Sequence, residues 1–344
     1  MRDHFKPEFL PINIGSLPHT DPEEACDLVL AHFPEVSAWP QLPKRSFLEN
    51  MYVQFSAGFP GIVLEGERIY VDRAQDLTAE LECLYLAYLE NDLDSYAISS
   101  TYAAGLAQWS KSEFNSCKVV KGQVTGPISW GLSVVDQEKR PVLYDEVLAD
   151  AAAKHLRLKA AWQERELRQL HPTTIILLDE PYMASFGSAY VAVTREQAIA
   201  LMEEVLGGLE GLKGVHCCGN TDWSVVLSTS IDILSFDTYE YAESLSLYPA
   251  EVESFLRRGG VIVWGIVPRE EEKLASETTA SLVERLHQAM ELLVRKGICY
   301  DDLLAASLVS ACCGLGSIPL EWAERALALA ADVSKEMRKR YLLP

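Results

Sequence analysis

His216 and Cys218 stand two residues apart in the stretch GVHCCGNTDW, Gly214 to Trp223. On an extended strand, residues at i and i+2 point to the same side, so an imidazole and a thiolate placed there can hold one ion together. That donor pair suits Zn²⁺, whose catalytic sites use three protein ligands and keep one position open. A second cysteine pair, Cys312 and Cys313, leads into a glycine-rich turn, Gly314 to Gly316, and either cysteine could add a third thiolate. Ligands drawn from distant segments differ from the close CxxC pairs of structural zinc fingers and point to catalysis. The same residues also fit a buried cysteine-rich strand, since free cysteine is among the most buried residue types.

Carboxylates and tight turns recur at comparable places. Asp179 and Glu180 follow the apolar run TIILL, which puts the first carboxylate at the top of a strand. A buried carboxylate needs a partner, and a substrate ammonium, a helix N-cap role or a loop salt bridge would each supply one. Asp237 follows DILSF in the same way, as an oxygen ligand or as a partner that orients His216. Ser16, after Gly15 in IGSLP, sits where exposed backbone amides make a nest for a carboxylate. Gly126-Pro127 reads equally well as a simple strand terminator.

Positioning such residues requires elements that end side by side. Short β-branched runs followed by amphipathic stretches predict parallel βα units. The predicted strands are Ile12–Ile14, Ser95–Ser99, Lys118–Val124, Thr174–Leu178, Gly214–Cys217, Ile231–Phe236, Val261–Trp264 and Leu308–Ala311. The predicted helices are Tyr144–Gln169, Arg195–Leu206, Pro249–Arg257, Thr279–Lys296 and Glu321–Arg340. The expected fold class is therefore α/β, a single-domain (β/α)8 TIM barrel over residues 1–344, whose C-terminal strand ends carry the active site. A Rossmann-like sheet is the alternative, but no GxGxxG opens a helix. Residues 36–92, with Pro40, Pro43 and Pro60 and no clean periodicity, are expected as an insertion between the first and second strands, near the barrel mouth.

The chain carries 30 basic and 50 acidic residues in 344, a formal charge of −20, which argues against a nucleic-acid partner. No run approaches the roughly 18 apolar residues of a membrane span, and the first residues lack an apolar signal core, so no membrane partner and a cytoplasmic location are expected. Eight cysteines in a chain of this kind suggest metal ligands or buried thiols rather than a disulfide framework.

Taken in order, IGSLP, GQVTGP, LLDEP, HCCGN, DILSFD and CCGLG resemble the zinc-dependent methyltransferases of the uroporphyrinogen decarboxylase and methionine synthase superfamily, and most closely the catalytic C-terminal half of cobalamin-independent methionine synthase. The resemblance runs from about Ile12 to Gly316. It implies a (β/α)8 barrel holding Zn²⁺, with His216, Cys218 and Cys313 as ligands, and homocysteine or another small thiol as methyl acceptor. The family's glutamate ligand falls where this chain has Asp237, with Glu240 three residues on. Ile14, Gly15 and Ser16 match the turn that holds the acceptor's carboxylate, and Asp179 the group that holds its ammonium.

Two departures bear on the donor. The family's substrate-contacting glutamate has only a loose counterpart in Glu49, and its proton-donating histidine is missing, since none lies between His216 and His287. The long folate-dependent enzymes have an additional N-terminal barrel for which 344 residues leave no room, and HxCGNT looks more like the methylcobamide:thiol methyltransferases. A methyl-corrinoid, methylcobalamin on a corrinoid protein, is thus favoured slightly over methyl-tetrahydrofolate as donor, and it needs no acid because cobalt leaves as Co(I). Two other functions stay open: a decarboxylase of the uroporphyrinogen type, whose arginine-rich N-terminal motif is not supplied by Pro40–Asn50, and a non-catalytic module that binds a corrinoid protein or a thiol.

Overall fold

A computed structural model describes residues 5–188 and 191–341. In chain order its strands are β1 (Val36–Ala38), β2 (Ile62–Glu65), β3 (Arg68–Val71), β4 (Val119–Thr125), β5 (Val135–Asp136), β6 (Thr174–Asp179), β7 (Leu212–Cys217), β8 (Ile233–Asp237), β9 (Val261–Val267) and β10 (Ser307–Ala311). Seven of them form one sheet in the order β1-β4-β6-β7-β8-β9-β10, parallel throughout. Helices fill the crossovers, among them Glu146–Leu170, Arg195–Leu206, Pro249–Arg257, Thr279–Val294 and Leu320–Tyr341. Parallel strands demand such crossovers, and the curled sheet they wrap is a TIM-barrel-like α/β fold. Arg195–Leu206 and Pro249–Arg257 have the predicted ends because their start signals are local: a Thr194/Gln197 capping box and Pro249 at the first helical turn.

Two predicted strands are corrected. Ser95–Ser99 is not extended; Asp94–Tyr96 is a 3₁₀ turn, fixed by Asp92, whose carboxylate accepts from Ser95 N (3.3 Å) and Ser95 Oγ (2.5 Å). The strand next to β4 is β1, so the span 36–92 opens with a strand of the sheet. Ile12–Ile14 is no regular strand either, and Pro11 beside it has no N–H to give. The chain there still hydrogen-bonds on both sides: Ile12 N to Val309 O (2.9 Å) and Val309 N to Leu10 O (3.0 Å), then Gln41 N to Gly15 O (3.1 Å) and Leu17 N to Gln41 O (2.9 Å). Residues 9–17 therefore lie between β10 and the end of β1, the two edges of the sheet.

The rest of 36–92 divides. Residues 41–51 lie at the C-terminal ends of the strands, whereas the β2–β3 hairpin and helix Thr78–Glu90 turn outward, where Tyr85 Oη donates to Asp150 (2.7 Å) and Arg73 pairs with Asp145 (2.7 Å).

Side chains alternate across the sheet. Val215, Cys217, Leu234, Phe236, Ile262 and Trp264 face the helices in one large apolar cluster. Leu10, Ile12, Val36, Val119, Ile175, Leu177, Leu212, Ile233, Val261, Val263 and Leu308 form a second cluster inside the curl of the sheet, at the N-terminal halves of the strands. Because the period is two, later inward positions along the same strands fall at Lys121, Asp179, His216 and Ser235. No helix among the described residues is long and apolar enough to cross a membrane.

Candidate metal centre

The inward period brings β7's His216 to the top of the sheet, and Cys218 follows two residues later on the same side. Ligand atoms of His216, Cys218 and Cys313 lie within 4.8 Å of one another, the last donated from the turn after β10. Cys217 packs among the helices and Cys312 is buried, so one cysteine of each pair serves the site and its neighbour the packing.

His216 carries the strongest sign of a missing partner. Its Nδ1 contacts Ser235 Oγ at 2.9 Å, from the residue directly across on β8, while its Nε2 is buried with no hydrogen-bond partner. With Nδ1–H donating to the serine, Nε2 keeps its lone pair toward the two sulfurs, the arrangement of a metal-ligating imidazole held by an outer hydrogen bond. The sulfurs share a proton: a hydrogen bond from Cys313, with the neighbouring His216 adding to it against burial, holds the Cys218 thiol well below the ordinary thiol range, and Cys313 is pushed up in return. A cation of soft-ligand preference fits this set of one imidazole and two sulfurs, one of them with its thiol pKa lowered.

The three donors open onto a cavity of about 390 Å³ lined also by Ile14, Ser16, Lys44, Glu49, Asp179 and Arg269. Asp179 ends β6 and is buried; its Oδ1 has no partner, and burial raises its pKa to about 6 while His216 and Lys121 pull the other way. Lys121, wholly buried inside the sheet with its pKa lowered to about 8 by burial, donates to Ile14 O (2.5 Å) and Gln123 Oε1 (2.9 Å). The Ile14–Ser16 turn is held at several points. Gly15 has φ +155 and a Cβ there would stand 2.7 Å from Gln41 Oε1, so glycine is required. Ser16 Oγ accepts from Gly316 N (3.2 Å) and Ser16 O from Leu315 N (2.9 Å), which ties this turn to the one carrying Cys313.

Other predicted residues go elsewhere. Asp237 does not join the three-residue cluster: its Oδ1 accepts from Glu240 N (3.0 Å) as N-cap of helix Thr238–Leu245, and burial raises its pKa to about 7. The short reach of aspartate serves a cap well. Glu240 pairs instead with Lys273. Glu180 lies outside the cavity lining; its carboxylate accepts from Ile128 N (2.9 Å), Ser129 N (2.8 Å) and Ser129 Oγ (2.6 Å). Gly126 of the TGP motif leaves room for it, since a Cβ would fall 2.2 Å from Glu180 Oε1. Ser235 and Arg269 are not among the residues that motif spacing points to, although a serine within an otherwise apolar strand and an arginine just past β9 are both visible signals. Glu49, the loose match, is buried in the cavity wall; Arg45 holds its Oε1 (2.7 Å) and its Oε2 has no partner.

No family model and no curated protein matches the chain. Among solved structures, a B12-independent methionine synthase from Shewanella sp. W3-18-1, in complex with selenomethionine, aligns over 97% of this chain and 99% of its own, with TM-score 0.57 and 17% sequence identity. The two chains share a fold. At that identity the likeness speaks for the architecture, and the chemistry rests on the side chains described above.

Proposed function

We propose that this protein is a methyltransferase that methylates a small thiol, homocysteine in the reading we favour, at a zinc held by His216, Cys218 and Cys313. The observation that carries it is the orphaned, buried Nε2 of His216 beside two sulfurs, in a cavity that also presents an unpartnered carboxylate. Zinc, when bound, would keep the acceptor sulfur as a thiolate at neutral pH.

The chain's own residues supply the rest. Asp179 takes the acceptor's ammonium with the oxygen that has no other partner, and Lys121 beneath it limits the cost of its buried charge. The Ile14–Ser16 turn offers its backbone to the acceptor's carboxylate, and its attachment to the Cys313 turn fixes that end of the amino acid relative to the sulfur. Ser235 keeps His216 in the orientation that leaves Nε2 free.

The structural neighbour is described as B12-independent, which moves the donor we favour from a methyl-corrinoid, with its corrinoid protein, to a methyl-tetrahydrofolate compound. The deciding experiment measures zinc per chain, then methyl transfer to homocysteine from 5-methyl-tetrahydrofolate and from methylcobalamin side by side. About one zinc per chain and methionine from either donor are expected; full activity in metal-free protein, or none from either donor with zinc bound, would reject the assignment.

A further inference from the structure

The cavity holds two cations that the acceptor does not need. Lys44, beyond β1, and Arg269, just past β9, line the same opening as His216, Cys218 and Cys313. Arg269 makes no hydrogen bond among the described residues, and its one ion pair there, with Glu270, is long at 3.8 Å. Its N–H donors are free to take a further partner, while its charge faces the sulfurs of Cys313 and Cys218. Lys44 uses a single donor, to Ile318 O at 2.7 Å, and forms no ion pair among the described residues. Arg45, between them in sequence terms, shows the contrast: it is already engaged by Glu49 at 2.7 Å.

This is an unusual place for uncommitted positive charge. The chain carries a net −20, so most of its surface repels anions, and two cations at a cleft offer one a local foothold. In the proposed reading the acceptor's ammonium goes to Asp179 and its carboxylate to the Ile14–Ser16 turn, which leaves both cations for another anion. Arg269 stands two residues past the end of β9. A guanidinium keeps its proton at every working pH, so it cannot replace an acid; it can bind an anion.

We propose that Lys44 and Arg269 form an anion subsite at the cavity mouth, and that the methyl donor enters with a carboxylate or phosphate arm lodged between them. The inference rests on the methyltransferase reading and adds the donor's chemistry to it. Arg269 would grip the arm through paired N–H groups and Lys44 as a point charge. The methyl-bearing end is then left to approach the sulfur ligands.

Equilibrium binding to the zinc-loaded full chain tests this with two donor pairs that differ only in the arm. One pair is 5-methyl-tetrahydropteroylglutamate and its glutamate diamide, in which both carboxylates are neutral; the other is methylcobalamin, with its nucleotide phosphate, and methylcobinamide, without it. The member of one pair with the anionic arm should bind about tenfold tighter, the effect of one charge-assisted contact, with the preference shrinking as salt rises. Which pair shows it identifies the arm as carboxylate or phosphate. Arg269→Gln and Lys44→Gln should each remove most of the preference, and Arg269→Lys should restore part of it. Equal binding within both pairs, no binding by any of the four, or a preference that survives in the double variant would overturn the subsite. The methyltransferase reading is tested separately by replacing zinc with cobalt(II) and adding homocysteine. A rise in sulfur-to-cobalt absorption on adding homocysteine, above that of Cys218 and Cys313, seen in wild type and in Arg269→Gln alike shows a folded acceptor site, so loss of the arm preference can be assigned to the rim. Its absence in wild type would count against the acceptor reading alone.

Discussion

The two halves of the sheet's interior are built from the same strands and do opposite things. Toward the N-terminal ends, Val119, Ile175, Leu177, Leu212, Ile233, Val263 and Leu308 close a dry cluster with no polar side chain in it. Two to four residues further along those strands the inward positions become Lys121, Asp179, His216 and Ser235, every one buried. The floor gains from burial alone, at roughly 25 cal/mol per Å² of apolar surface. The upper layer is costly, since each charge or dipole taken from water needs a partner, and His216 Nε2 and Asp179 Oδ1 have none. Unspent polar groups above a finished apolar floor mark where ligands are to be held.

That contrast can be broken from above or below. Removing a sulfur should have the largest effect: Cys218→Ser or Cys313→Ser is expected to lose the bound zinc and to lower activity by more than the roughly 100-fold typical of an outer-shell change, read by metal analysis and methyl-transfer rate. Asp179→Asn should lower kcat/KM for the acceptor by about a hundredfold while zinc stays bound. The pKa of about 6 sets a sign for the wild type: as pH falls through that value Asp179 gains a proton and loses its hold on an ammonium, so the acceptor KM should rise, and in Asp179→Asn that rise should vanish.

Below, Leu177→Ala should cost about 2–5 kcal/mol of stability in denaturant unfolding and leave one zinc per folded chain. A loss of metal in that variant would show that floor and rim are not separable. The smallest change is expected for Ser235→Ala, which should weaken zinc about tenfold in a chelator competition, because the imidazole remains but its orienting bond does not.

How legible these features were in sequence depended on how local their causes are. Thr194 with Gln197, and Pro249, announce their helices within one turn, and β6 and β9 are nearly continuous apolar runs with definite polar ends. β1 was hidden because three residues carry no period and their partner, β4, lies about eighty positions away. Ser95–Ser99 misled because SYAIS, with Tyr96 and Ile98 two apart, reads as extended until the Asp92 side chain is placed over Ser95. In the site, the HxC spacing pointed to His216 and Cys218 directly, and the choice of Cys313 over Cys312 came with the family resemblance. Asp237 looked like a ligand because a carboxylate at a strand end serves a metal and a helix N-cap equally well, and only geometry separates the two.

By itself, then, the sequence determined the alternation of strands and helices, the side of each strand that faces inward, and the residue types able to hold a metal. Those depend on neighbours a few positions apart, where a fixed backbone period converts spacing into direction. The tertiary structure decided which inward positions meet at one point: His216 with Cys218 and Cys313, Asp179 and the Ile14–Ser16 turn beside them, Arg269 and Lys44 at the mouth, and Asp237 withdrawn into a cap. Such encounters are set by the curl and register of a sheet whose strands are joined through long crossovers, and no short spacing in the chain encodes them.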